Sequence, residues 1–223
     1  MNVFAEIATI QPSSQDVTIY SETNYNHLTY MSVIGRSAGA MRCLVQFDLS
    51  MIPRGSTIHS ANLSLYYLAW DQNDPAGRIY WAYRVNQSWL ETSATWNTYD
   101  GTHLWTTPGS DYTTAGGASA VVPSSTNMWM TWNVTDIVKA WIEERQPNDG
   151  FVVRDGNETG STIIQSFFST HEASSNQPLL EVGYTPYVGG DIIATNTLWL
   201  LTPWILAAII LTGTIVALKR RQH

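Results

Sequence analysis

The 223-residue sequence predicts an all-β jelly-roll sandwich with one short helix, followed by a single C-terminal transmembrane helix. Three observations carry that expectation. Short runs that alternate apolar and polar residues recur along most of the chain, separated by clusters of Gly, Pro, Asn and Asp. Helical periodicity is confined to one stretch after Thr135. Residues 198–218 then run for 21 positions without a charge and stop at Lys219, Arg220 and Arg221.

Taken in order, residues 16–20 (DVTIY) and 28–34 (LTYMSVI) are candidate strands. Residues 41–49 alternate, with Cys43, Val45 and Phe47 on one face and Arg42, Gln46 and Asp48 on the other. Ile52-Pro53-Arg54-Gly55 makes a turn. Residues 61–70 place Leu63, Leu65 and Tyr67 opposite Asn62, Ser64 and Tyr66. Residues 71–77 (DQNDPAG) turn again, and residues 78–85 resume the alternation. Residues 128–134, 150–154, 163–169 and 179–184 complete the strand series. Thr135 is placed to cap a helix over 136–144, whose Ile137, Val138, Trp141 and Ile142 form an apolar stripe suited to plugging one end of the sandwich. Residues 97–126, rich in Gly, Ser and Thr, read as a long loop holding His103, Trp105 and Tyr112.

Twenty-one helical residues rise about 31 Å, the hydrocarbon thickness of a bilayer. Trp199 and Trp204 stand near one interface, and the basic end marks the cytoplasmic side. The expected organisation is an ectodomain over 1–186, a tether over 187–197, a membrane span over 198–218 and a cytoplasmic tail over 219–223. The localisation that follows is a single-pass cell-membrane protein with its N-terminal domain outside. Residues 1–11 have neither the basic start nor the apolar run of a secretory leader. That leaves three routes open: a start further upstream, a leader already removed, or assembly into a particle whose sidedness arises differently.

Without the three tail bases, 8 Lys and Arg face 18 Asp and Glu, a balance of −10. Such a domain is a poor partner for nucleic acid or for an anionic membrane surface. Cys43 is the only cysteine, so no intrachain disulfide forms and stability rests on packing.

The order of motifs resembles a known family. Gln46-Phe47-Asp48-Leu49-Ser50, then Ile52-Pro53-x-Gly55, then Ile58-x-Ser60-Ala61-x-Leu63-x-Leu65-Tyr66 is similar to the core of DNRLRE domains. Trp89-Leu90-Glu91 with Thr95-Trp96-Asn97, and Trp132-Asn133-Val134-Thr135 with Val138 and Trp141, follow in register. Asn148-x-Gly150-Phe151, Phe167-x-Ser169-x-x-Glu172 and Pro178-x-Leu180 close the series, so the likeness covers roughly residues 16–184. The resemblance implies a jelly-roll fold and, by its relatives in polysaccharide-degrading systems, a carbohydrate-binding module. The tail, from Val188-Gly189-Gly190 to the basic end, resembles anchors appended to surface proteins of some archaea and Chloroflexi-like bacteria.

A glycan platform needs aromatic faces beside planar polar groups. If Cys43, Leu65 and Trp81 point inward, the opposite faces of three strands offer Arg42, Gln46, Tyr66, Tyr80 and Arg84. Trp70, Trp105 and Tyr112 are rival stacking residues. An ordinary solvated face of cross-strand Arg–Tyr pairs has the same pattern. For calcium, Asp71, Asn73 and Asp74 gather oxygen ligands on one turn, although Asn and Asp crowd turns for conformational reasons as well. The histidines show no paired metal spacing, and neither a nucleophile elbow nor a phosphate loop is present. The expected function is a non-catalytic, membrane-anchored surface module that binds polysaccharide or envelope glycan, or acts as an adhesin, without a cofactor. The alternative is a structural subunit of a membrane complex, surface layer or membrane-containing virion that makes protein contacts only.

Overall fold

A chain that alternates at period two buries one face of each strand, and most strands among the described residues do so around a shared core. The computed structural model describes residues 4–20, 23–24, 28–144 and 146–187. The strands are β1 (Glu6–Ile10), β2 (Gln15–Tyr20), β3 (Thr23–Asn24), β4 (Tyr30–Ile34), β5 (Arg42–Gln46), β6 (Thr57–Asp71), β7 (Ile79–Val85), β8 (Tyr112–Val121), β9 (Met128–Asn133), β10 (Phe151–Asp155), β11 (Gln165–Ser169) and β12 (Leu179–Thr185); the helix is α1 (Thr135–Ile142). The expected membrane span, the tether beyond Tyr187 and the basic tail lie outside the described residues. No helix among the described residues is long and apolar enough to cross a membrane.

The strands make two antiparallel sheets, so the all-β expectation holds among the described residues. The first runs β1-β12-β6-β11-β4, with β9 also on β6. The second runs β3-β2-β5-β10-β7-β8. The fifteen residues of β6 let it pair with β12 from Thr57 to Ser64, with β9 from Asn62 to Tyr67, and with β11 from Tyr67 to Asp71. The register with β11 shifts between Phe167 and Phe168.

Inward-facing residues of both sheets share one core. At its centre Phe168 packs tilted on Tyr67 at 5.7 Å and edge-on to Tyr80 and Trp132, both at 6.4 Å. Two polar groups of that cluster are partnered across the sheets: Trp132 Nε1 donates to the Tyr80 carbonyl at 2.9 Å, and the Tyr80 hydroxyl meets Ser166 Oγ at 2.9 Å, whereas the buried Tyr67 hydroxyl has no partner. Burial pushes the Tyr80 phenol well up. Cys43 sits in the same core, fully buried and with its thiol raised by desolvation, which suits a small inert hydrophobe.

Two sequence readings need correction. Residues 97–126 are not one loop, because Tyr112–Val121 forms β8 at the sheet edge; its glycines and small residues hid the strand. Thr135 is not the helix cap either. Its hydroxyl donates to Asn133 Oδ1 and accepts from the Ala61 N–H, so it ties the helix start to β6. Ile137, Val138 and Trp141 are buried as the apolar stripe requires.

Phe168→Ala should cost about 3–5 kcal/mol, since it removes an aromatic touching three others in a sealed core. Denaturant unfolding at constant m-value measures it; a loss below about 1 kcal/mol would show that the cluster does not hold the sheets.

Candidate functional site

The outer face of the second sheet is not left to solvent. Outward positions carry Val17, Ile19, Leu44, Val85 and Val152, and residues 86–111 fold back over them with Trp89, Ala94 and Trp105. The roof is tied by its own indoles: Trp89 Nε1 donates to the Asp149 carbonyl at 2.9 Å and Trp105 Nε1 to the Thr95 carbonyl at 3.0 Å. Asp100 holds the loop tip. Its carboxylate accepts from the backbone N–H of His103 and of Thr102 and from the His103 ring, which together lower it to about 2.

Beside this roof lies a row of half-buried rings. Trp81 and Tyr83 are stacked at 5.5 Å and 8°, and Tyr83 continues onto Tyr112 at 5.2 Å and 11°. Gly117 makes room for the row, because a Cβ there would collide with the Tyr83 ring. The Arg42 guanidinium lies over Trp96 at 4.8 Å and over Tyr112 at 5.6 Å. Arg154 lies over Tyr112 at 5.9 Å and donates to its hydroxyl at 2.6 Å. Glu158 joins the two arginines, at 2.7 Å from Arg42 and 2.6 Å from Arg154.

Each end of the row opens on a cleft. Trp81 walls a cleft of about 270 Å³ with Arg78, Ile79, Asp155, Gly156 and Asn157. Inside it Arg78 pairs with the buried Asp155 at 2.6 Å. Tyr112 walls a second cleft of about 630 Å³ with Asn86, Gln87, Thr106, Thr107, Ser110, Asp111 and Thr114. There Ser110 holds a backbone φ of 90°, and its buried hydroxyl has no partner. Strain of that kind in a non-glycine residue marks a constrained site.

A family model described as the disaggregatase related repeat domain matches residues 13–182, most of the chain and nearly all of the sandwich. The chain belongs to this family. The family model that matches is this one and not that of DNRLRE domains, whose motifs the sequence resembles. No curated protein matches the chain. Within this disaggregatase related domain, the matched segment includes both sheets' central strands and the whole aromatic row.

The expected platform residues do not come together. Arg42 and Gln46 do face outward on β5, but both are committed: Arg42 to Glu158 and the Gly109 carbonyl, Gln46 to the Asn148 carbonyl and Gln15. Tyr66 lies on the other sheet, edge-on to Trp129 at 5.3 Å. Tyr80 is in the core, because β7 turns Tyr80 and Ala82 inward and Trp81 and Tyr83 outward, the reverse of the expectation. Arg84, opposite the inward Phe151, lies at the rim beside Asp149, where its charge opposes the upward push of burial on that carboxyl. Trp105 is sealed in the roof. Trp70 stays partly exposed at the end of β6, opposite Ser166. Asp71, Asn73 and Asp74 are exposed on their turn, with the carboxylates accepting from Gln72 and Ala76 and the amide donating to the Ile163 carbonyl.

Trp81, Tyr83, Trp96 and Arg154 escaped the sequence reading. Both faces of β7 carry aromatics, so its alternation alone does not tell inside from outside. The one available signal is the Gly116-Gly117 pair, which announces a close approach by a large neighbour.

Gly117→Ala should displace the Tyr83 ring and break the row, read as loss of the stacked-ring signature in near-ultraviolet circular dichroism while far-ultraviolet signal persists. Asp100 should titrate near 2, against about 3.9 in an unfolded chain. Because the folded value is the lower, its contribution to stability is present above about 3.9 and is lost as pH falls through about 2. A carboxyl NMR titration with a midpoint near 3.9 would show that the loop tip is not held in this way.

Proposed function

We propose that this chain is a non-catalytic, membrane-anchored surface protein whose jelly-roll sandwich binds polysaccharide along the row Trp81, Tyr83 and Tyr112. The observation that carries the reading is the row itself, which links two clefts. A sugar ring presents an apolar C–H face and a rim of hydroxyls. It therefore matches a flat, electron-rich aromatic face flanked by planar donors and acceptors. Arg78 and Asn157 supply such groups at Trp81, and Asn86 and Gln87 supply them at Tyr112. Two clefts joined by rings suit a chain of sugars better than a single one. The motif-level likeness to DNRLRE domains supports the same substrate class, and the uncharged stretch 198–218 supports the anchor.

The arginines beside the row are tied up, Arg42 and Arg154 on Glu158 and Arg78 on Asp155, and the ectodomain is acidic. Both features favour a neutral glycan over a polyanionic one.

One observation favours the structural-subunit alternative as a second reading. β8 ends its sheet, and its Val121 lies opposite Ile79 with 62% and 48% of their surfaces exposed, an open apolar edge. Detergent extraction and size analysis decide it: a monodisperse monomer without a co-purifying partner removes this second reading.

The compact unit Met1–Tyr187 should be retarded in gels containing a neutral polysaccharide. Trp81→Ala should weaken retention about tenfold, or about 1.4 kcal/mol, with the melting temperature kept, whereas Tyr112→Ala should weaken it as much and also lower the melting temperature by freeing Arg42 and Arg154. No retardation by any neutral or acidic polysaccharide, envelope glycan included, would overturn the proposal.

A further inference from the structure

Three distant segments meet at one flank of the sandwich. Asp16 comes from β2 of the second sheet, Glu91 from the start of the roof loop, and His171 from the turn that follows β11 of the first sheet. One ligand atom from each lies within 4.8 Å of the others. His171 Nδ1 stands 3.3 Å from Asp16 Oδ1 and 3.4 Å from Glu91 Oε1.

The Asp16 side chain is wholly buried, and its Oδ1 has no hydrogen-bond partner. Neither has the buried His171 Nδ1 that it faces. Leaving such atoms unsatisfied is costly, so a group that answers both is called for. Everything around them is arranged to hold them there. Asp16 Oδ2 accepts from Ser13 Oγ at 2.5 Å and from the His171 N–H at 2.8 Å, which aims Oδ1 at the ring. Asn24 Nδ2 donates to the Glu91 and Ala94 carbonyls, both at 2.8 Å, which fixes the backbone of Glu91.

The distances suit a metal ion as well as an ion pair. A charge-assisted hydrogen bond draws nitrogen and oxygen to about 2.7–2.9 Å. Here two carboxylate oxygens keep almost equal, longer distances from one nitrogen. An edge of about 3.4 Å is what a tetrahedron of ligands has around an ion with bonds of about 2.1 Å. One imidazole with two carboxylates suits a zinc-type ion, whereas calcium and magnesium take sets of oxygens. The other ring nitrogen, Nε2, meets Glu172 Oε1 at 3.1 Å, the outer carboxylate that orients metal-binding histidines. Glu91 and His171 keep 18% and 19% of their side-chain surface, enough to admit an ion and a water.

We propose that Asp16, Glu91 and His171 bind one divalent transition-metal ion, which clamps the roof loop and the turn after β11 onto β2. The same carboxylates, Asp16 chiefly, also favour a proton on the ring, pushing it up to about 9. Metal and proton therefore compete for the nitrogen, and the two occupants give opposite results below.

The test uses the full chain in detergent, stripped with a chelator and titrated with Zn²⁺ by calorimetry, then with Co²⁺ by visible spectroscopy. The expected result is one ion per chain, a rise in melting temperature, and a Co²⁺ band of four- or five-coordinate type. His171→Gln and Glu91→Gln, which spare the wholly buried Asp16, should each weaken uptake at least a hundredfold. Glu172→Gln should weaken it about 10–100-fold. Absence of saturable Zn²⁺ or Co²⁺ uptake by the folded chain would overturn the proposal in favour of a protonated ring. Uptake that His171→Gln and Glu91→Gln leave unchanged would overturn it equally, by placing the metal elsewhere.

Discussion

Both faces of the second sheet are apolar, and the rest of the molecule is organised around burying the outer one. Val17, Ile19, Leu44, Val85 and Val152 cannot face water together without cost, at roughly 25 cal/mol for each Å² left exposed. The first sheet covers only their inward neighbours. Residues 86–111 therefore close over the outer face, and Trp89 and Trp105 become ceiling where a solvent-facing strand would have left them free. The roof covers part of the sheet and stops at Tyr83 and Tyr112, which pack against its edge half-exposed. The aromatic row begins where the roof ends.

Charge is used sparingly and in the same place. Arg42, Arg154 and Glu158 share one site where each is largely shielded from water. Removing charges from water is expensive, and one carboxylate answering two guanidiniums repays it only because the aromatic faces and backbone carbonyls take the remaining donors. The network is thus a brace that holds Trp96 and Tyr112 in position. That explains why the arginines that look like ligand donors in the sequence are occupied, while unexpected neighbours on β7 carry the open surface.

The roof loop also has to be held at its beginning. Glu91, two residues after Trp89, enters the buried flank where Asp16 and His171 wait, and this joins both sheets and the loop at one point. A cation there would fix the loop from one side as the Arg42 network fixes it from the other. The family match spans every one of these parts.

The linear chain by itself determined the all-β character, most strand positions, the inward run of Cys43, Val45, Leu63 and Leu65, the inert cysteine and the helix stripe. These follow from local periodicity, because a strand or helix exposes its own pattern of apolar residues whatever lies beside it. The edge strand β8 was hidden, since Gly116 and Gly117 carry no strand signal until Tyr83 packs on them. The face of β7 was undecidable for a related reason: Tyr80 and Trp81 are both aromatic, and only the pairing with β10 assigns one to the core and the other to the row. Tyr66 and Arg42 belong to one platform only if β6 and β5 share a sheet, which they do not. Tertiary structure alone brought Asp16, Glu91 and His171 together, because no spacing along a chain encodes a meeting of three loops and strands from opposite sheets.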